Sequence, residues 1–310
     1  MNRYIISSIL ATLSFAPALR AEVPMVVTDI PPVGALVAQV MGDLGAPQVL
    51  LTAGADPHDF QLRPSQARLL SQAGLVVWIG PELTPWLDHT LDGMASGARL
   101  GLLATPGTHL RHFSHEEAEA EEQEHAADGE GHDHDHGHSD IDPHAWLNPE
   151  NAEVWLPAIA AELSRLDPEH AATYAANAQA AVLATQALDA RIAAKFAPVK
   201  DRPFVTYHAA FGYLVGHYGL TQLGSVAEGD AHSPGAARLK SLRDSLGGKA
   251  VCLFPEAQHD PALLTQMADA AGARTGQPLD PEGTSIDPGP DAYAKVMEGL
   301  ADTMVDCLAR

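Results

Sequence analysis

The stretch Asp167–Phe196, DPEHAATYAANAQAAVLATQALDARIAAKF, decides how the rest of the chain is read. Asp167 is a candidate N-cap, and Pro168 stands at the first helical position, where its missing N–H costs nothing. Beyond Pro168 the stretch has neither Gly nor Pro and is very rich in alanine, the strongest helix former. A continuous helix here is about 40 Å long at the standard rise, as long as a whole domain is wide. Read as one element, it links two lobes. The other reading is two core helices with a hidden kink; the single linking helix is preferred.

On both sides of this stretch short apolar strands alternate with amphipathic helices. Before it, strands are expected at Met25–Thr28, Val49–Leu51, Leu75–Ile79 and Arg99–Leu103. Helices are expected at Val33–Met41, Pro64–Ala73, Glu82–Met94 and Asn148–Leu166. After it, strands are expected at Phe204–Tyr207, Leu220–Val226, Ala250–Phe254 and, weakly, Arg274–Pro278. The matching helices are Ala209–Tyr218, Pro234–Leu246, Pro261–Ala271 and Asp291–Leu308. Such alternation implies an α/β protein with parallel sheets covered by helices on both faces. The organisation is then an N-terminal lobe over residues 22–166, a linker helix over 167–197 and a C-terminal lobe over 198–310. Ligands of such sheets sit beyond the carboxyl ends of the strands, which places a site in the cleft between the lobes. One segment breaks the pattern. Pro106 to Pro143 is polar, acidic and His-rich without helical or strand period, and its composition predicts disorder over about 106–142.

The first residues, MNRYIISSILATLSFAPALRA (1–21), have a positive start, an apolar stretch and small residues at the end. This is the layout of a secretory signal peptide, cut after Ala21 or Ala18, and too short for a comfortable membrane span. No cysteine lies near the cut, so a lipid anchor there is excluded, and a soluble, exported, periplasmic protein is expected. In an oxidising compartment the only two cysteines, Cys252 and Cys307, read as a disulfide; the other reading is two buried free thiols. Net charge is −22, and twelve acidic residues with no Lys or Arg lie between Glu116 and Asp142. A chain this acidic does not bind nucleic acid by neutralising phosphates, whereas its field attracts cations.

The sixteen histidines fall into two populations. Eight lie in the acidic segment: His109, His112, His115, His125, His132, His134, His136 and His138. Among the scattered ones, His58 sits in the loop GADPHDFQLRPS after a strand, His208 directly follows the strand FVTY, and His144 lies in DIDPHAWLNPE before a helix. Singly, each is an ordinary surface or core histidine. Together at strand ends and loops, they are candidates for a tetrahedral zinc site with a fourth position for water or carboxylate. His89, His170, His217 and His259 read as structural or surface residues, and His232 as a spare ligand. The four tryptophans read as core and cleft packing.

The segments ADPHDFQLRPS, DPHAWLNPE, TYHAAFGYLVGHYGL, SPGAARL and LDPEGTSI, in this order and spacing, resemble the ZnuA family. This is the zinc branch of the cluster A-I solute-binding proteins of ABC importers. The resemblance spans essentially the whole chain after the signal segment, and the His-rich insertion before DPHAW belongs to the same pattern. It implies two (β/α)4 lobes joined by one long rigid helix, with the metal in the interlobe cleft. It implies His58, His144 and His208 as zinc ligands and fits a Cys252–Cys307 disulfide in the C-terminal lobe. Manganese-binding relatives tend to carry a carboxylate at the position of His208 and an Asp near GTSI, where Thr284 stands here. Some zinc members carry a Glu where this chain has Pro57. The expected set is therefore three histidines plus water, with a histidine of the loop as the alternative fourth ligand, Asp59 supporting His58 or capping a helix, and Glu256 merely lining the cleft.

The function implied is a non-enzymatic one: high-affinity capture of Zn2+ and its delivery to a zinc ABC permease in the inner membrane, by a monomer that a periplasmic zinc chaperone could supply. In GHDHDHGHSD the alternation of His132, His134, His136 and His138 puts four imidazoles on one side of an extended chain. They are expected to form a secondary, weaker zinc site; the bland alternative is a solvated spacer. Other readings of the whole chain are a manganese-binding relative, a zinc-dependent hydrolase, for which HExxH-type motifs are missing, and a metal-storage protein dominated by the His-rich segment.

Overall fold

Short runs of Val, Leu, Ile and Phe are buried on both faces when a parallel sheet is covered on both sides, and that is where these runs lie. The computed structural model describes residues 22–51, 53–58, 60–93, 97–113, 141–227, 236–246 and 252–310. The first sheet is built from β1 (Val26–Thr28), β2 (Gln48–Val49), β3 (Leu75–Trp78) and β4 (Ala98–Gly101), in the order β2-β1-β3-β4, all parallel. The second repeats the plan with β5 (Phe204–Thr206), β6 (Gln222–Ser225), β7 (Cys252–Phe254) and β8 (Arg274–Thr275), in the order β6-β5-β7-β8. The helices α1 (Pro31–Met41), α2 (Pro64–Gln72), α3 (Pro85–Gly93) and α4 (Pro149–Leu166) each begin on a proline, whose fixed φ suits the first turn. Asn148 caps α4 by accepting the Glu150 N–H at 3.0 Å. After β5 come α6 (Gly212–Tyr218), α7 (Ala236–Leu246), α8 (Ala262–Ala271) and α9 (Ala292–Leu308).

The decisive stretch resolves as a short turn, Pro168–His170, followed by one uninterrupted helix, α5 (Ala171–Phe196). Its buried residues Tyr174, Ala178, Ala181, Thr185, Leu188, Ile192 and Phe196 recur every three or four positions, the spacing of one helical face. This face packs on α1, α4 and α9. Small Ala178 and Ala181 let the neighbouring helices approach, while Leu188, Ile192 and Phe196 each contribute about 1.5–3 kcal/mol of burial. Asn177 Nδ2 donates to Val40 O in the first lobe at 3.0 Å. At the other end Arg191 and Lys195 pair with Glu298 and Asp302 on α9. One apolar core therefore runs from Val26 through Phe196 to Met304, and two smaller cores cover the outer faces of the sheets.

Cys252 on β7 and Cys307 on α9 form the disulfide. Residues 106–113 and 141–142, part of the stretch expected to be structureless, are described and fastened to the fold. Its stem is tied down: the His109 N–H donates to Asn151 Oδ1, Arg111 N–H to the Tyr213 hydroxyl, and His112 bridges to Ile141. Polarity concealed this because the partners are single side chains far along the chain. Residues 1–21, Asp59, His115, His125, His132, His134, His136, His138 and His232 lie outside the described residues. Among the described residues no helix is long and apolar enough to cross a membrane.

Candidate metal centre

The register of the second sheet builds half of the site. β5 pairs with β7 so that Thr206 lies opposite Phe254. Two residues beyond each lie His208 and Glu256, at the carboxyl edge where α/β sheets bind their ligands. Glu256, 2% exposed, accepts the His208 backbone N–H at 3.0 Å and also the His208 Nδ1 hydrogen. Thr206 Oγ1 donates to His208 O at 2.9 Å, closing the turn.

His144 is placed in the same manner from the first lobe. Asp142 accepts the His144 backbone N–H at 3.0 Å and its Nδ1 hydrogen at 2.9 Å. Arg111, just ahead of the insertion, lies 3.5 Å from the other Asp142 oxygen. The Tyr213 hydroxyl from α6 donates to Asp142 O at 3.0 Å. His58 lies on the loop after β2. Trp86 Nε1 donates to Pro57 O at 2.7 Å, and Asp56 Oδ1 accepts the His58 N–H at 2.9 Å, so the loop is fastened on both sides of the imidazole.

The three rings converge, with centroids 5.4 Å apart for His58–His144, 5.2 Å for His144–His208 and 6.3 Å for His58–His208. One ligand atom from each lies within 4.8 Å of the others. His144 Nε2 and His208 Nε2 are 3.3 Å apart. Because each Nδ1 gives its hydrogen to a carboxylate, each Nε2 is the acceptor nitrogen, and two lone pairs face one another. A cation between them relieves that opposition. Two nitrogens on a tetrahedral zinc stand about 3.3–3.4 Å apart, given Zn–N bonds of about 2.0–2.1 Å. Carboxylate, imidazole and metal in series also orient the ring and raise its basicity.

Electrostatics keep two of these imidazoles, His58 and His144, neutral and ready to bind. Burial, then repulsion from His144 and His208, holds His58 well below the usual histidine range. Burial, then His208, does the same for His144. Beside the triad, Asp56, Pro57, Gln258, His259 and Glu282 enclose a small cavity of about 10 Å3, about the room one water needs.

Three expectations change here. Glu256 does not merely line the cleft; it positions His208. His259 is no remote structural histidine; its ring stacks on Tyr207 at 4.2 Å and lies 6.3 Å from His208. The C-terminal loop does offer carboxylates. Asp280 is turned to its own loop, accepting from the Thr284 and Ser285 N–H groups, whereas Glu282 lines the cavity, and its carboxyl is pushed up to about 8 by burial, partly offset by His208. Asp142, missed in the sequence, was signalled only by standing two residues before His144. His89 lies on α3; His170 and His217 pair with Asp167 and Asp189 away from the site.

The family model described as ZnuA, zinc-uptake complex component A periplasmic, matches residues 26–307. The chain belongs to the ZnuA family. It is 52% identical over 303 residues to the high-affinity zinc uptake system protein ZnuA of Paracoccus denitrificans (strain Pd 1222), covering 93% of each chain. To the protein of the same description from Brucella suis biovar 1 (strain 1330) it is 37% identical over 317 residues, covering 94% of each. A crystal structure of ZnuA superposes with a TM-score of 0.74 at 25% identity, covering 91% of this chain and 98% of that one. Two four-stranded parallel sheets, one long joining helix and a histidine triad between the lobes are thus the frame of a ZnuA-like protein.

Proposed function

We propose that this protein captures Zn2+ in the periplasm on His58, His144 and His208 and hands it to the inner-membrane permease of an ABC importer. The observation that carries the reading is the 3.3 Å approach of two Nε2 atoms whose Nδ1 hydrogens are both held by buried carboxylates. Membership in the ZnuA family supports uptake as the purpose of the site. Zinc is cargo, and the protein is a transport component, not an enzyme. Three imidazole donors suit zinc better than manganese, which takes oxygen ligands. Water completes the tetrahedron, in a cavity of about its size. His132, His134, His136 and His138 form the secondary, weaker collector, and the protein acts as a monomer that a periplasmic chaperone can load.

Competitive titration of the full chain with Zn2+ and Mn2+ tests the assignment. One tight zinc site with weaker sites above it is expected. His144→Ala should lower the tight affinity by about a hundredfold or more, one ligand's share of a typical zinc-binding free energy. Tighter binding of Mn2+ than Zn2+, or an undiminished His144→Ala variant, overturns the reading.

A further inference from the structure

A second group of donor atoms stands beside the triad. One atom each from His208, Glu256 and His259 lies within 4.8 Å of the others. His144 and His208 are buried, whereas His58 and His259 are both half-buried, so a hydrated ion arriving from solvent meets His58 and His259 before the two inner ligands. His259 is half-buried, and its ring is steadied face to face on Tyr207 at 4.2 Å. Stacking fixes the plane of the ring and leaves its nitrogens at the edge, where a ligand can be bound. Glu256 engages His208 through both oxygens, and each carboxylate oxygen has a further lone pair. Asp56 lines the same cavity as His259, and a carboxylate in such a mouth raises the local concentration of a dication.

We propose that His259 and Glu256 form an outer metal station, on which Zn2+ exchanges its first waters before the triad takes it. This rests on the reading of His58, His144 and His208 as the tight zinc site. Passage inward is ligand exchange without redox or covalent chemistry: the His259 and Glu256 bonds to the ion break as bonds to the triad nitrogens form, and the displaced waters return to solvent. His208 belongs to both groups, so the two positions are neighbours and the ion need not re-enter bulk water between them. Two protein donors make the station weak, and a weak station passes its ion on.

Stopped-flow zinc capture by the full-length protein, and zinc release to a fluorescent chelator, test this. His259→Phe keeps an aromatic ring on Tyr207 but removes the donor nitrogens. Capture and release should both slow by about tenfold, with the equilibrium affinity unchanged within about threefold, because a station on the path affects both directions alike. His259→Asp restores a zinc donor and should recover most of the rate. Wild-type rates in His259→Phe overturn the station. So does a slow phase that His259→Asp fails to recover, and so does a faster release with weakened affinity, which makes His259 a ligand of the tight site. Loss of tight zinc binding in the wild-type protein is a different outcome: it removes the triad reading itself.

Discussion

Glu256→Gln removes one charge and changes almost no volume, yet its effect on zinc affinity should be large. Two N–H donors of one residue, the His208 backbone amide and Nδ1, converge on its carboxylate. A carboxylate accepts both; a glutamine amide accepts with one end only. With the amide oxygen toward Nδ1, the NH2 group opposes the backbone N–H in a buried setting. With the amide turned over, NH2 donates to Nδ1, which moves the imidazole hydrogen to Nε2, the atom facing His144 at 3.3 Å and the one zinc needs. Both outcomes weaken the site. Loss of such an outer carboxylate costs about 10–100-fold in metal affinity, or about 1.4–2.7 kcal/mol. Competition with a chelator at pH 7.5 gives the affinity, and nitrogen NMR of His208 in the zinc-free protein reads the tautomer. Zinc affinity within twofold of wild type, with His208 still protonated on Nδ1, would falsify the argument that this carboxylate sets the ligand.

Protons compete with zinc for the same nitrogens, and burial holds His58 and His144 well below the usual range. Their competition therefore begins below about pH 6.5, so zinc affinity should be nearly flat from pH 7.5 to 6.5 and then fall steeply; half the affinity lost already at pH 7 is the contrary result. Cys307→Ser opens a loop of 55 residues and should lower unfolding stability by about 4 kcal/mol on the chain-entropy model. Urea denaturation checks this, and zinc affinity should persist because the disulfide joins the amino end of β7 to the last turn of α9, away from the carboxyl edge that carries His208 and Glu256. Trp146→Phe removes the donor to Pro281 O, a 2.9 Å bond between the lobes. It should cost about 1–3 kcal/mol for the buried carbonyl left behind, read as a lower melting temperature.

The alternation of apolar runs and amphipathic helices was legible because each element announces itself within a dozen residues, although α1 and α3 start on Pro31 and Pro85 rather than at Val33 and Glu82. The joining helix was legible because nothing between Ala171 and Phe196 could break it. His58 and His208 could be placed at strand ends by the same local reading. Their supports could not. Glu256 is 48 residues from His208, and only the β5–β7 register sets them side by side. His259 looked like a residue ahead of a helix, because its neighbour Tyr207 comes from a distant strand. Thr284 was weighed as a missing donor, but the loop folds so that Asp280 ties its own backbone while Glu282 faces the cavity. The stem of the insertion was hidden in the same way, since composition says nothing of a single Tyr213 hydroxyl that bridges Arg111 and Asp142.

A clamshell opens along a seam, a plane of weak contact about which two bodies swing. Here the seam is filled: α5 and the core along it belong to both lobes, and Trp146, Pro281 and Tyr293 stitch the cleft floor. A frame filled in this way resists a swing of one lobe against the other, so the loaded and the empty protein should share nearly one silhouette. An acceptor that distinguishes them has to feel the rim, at residues 53–58, 141–148 and 280–285, where the loops carry what the ion changes. Unloading on such a frame should ask for local movement at that rim, where Trp86 and Asp56 fasten the loop of His58, rather than for the swing of half a molecule.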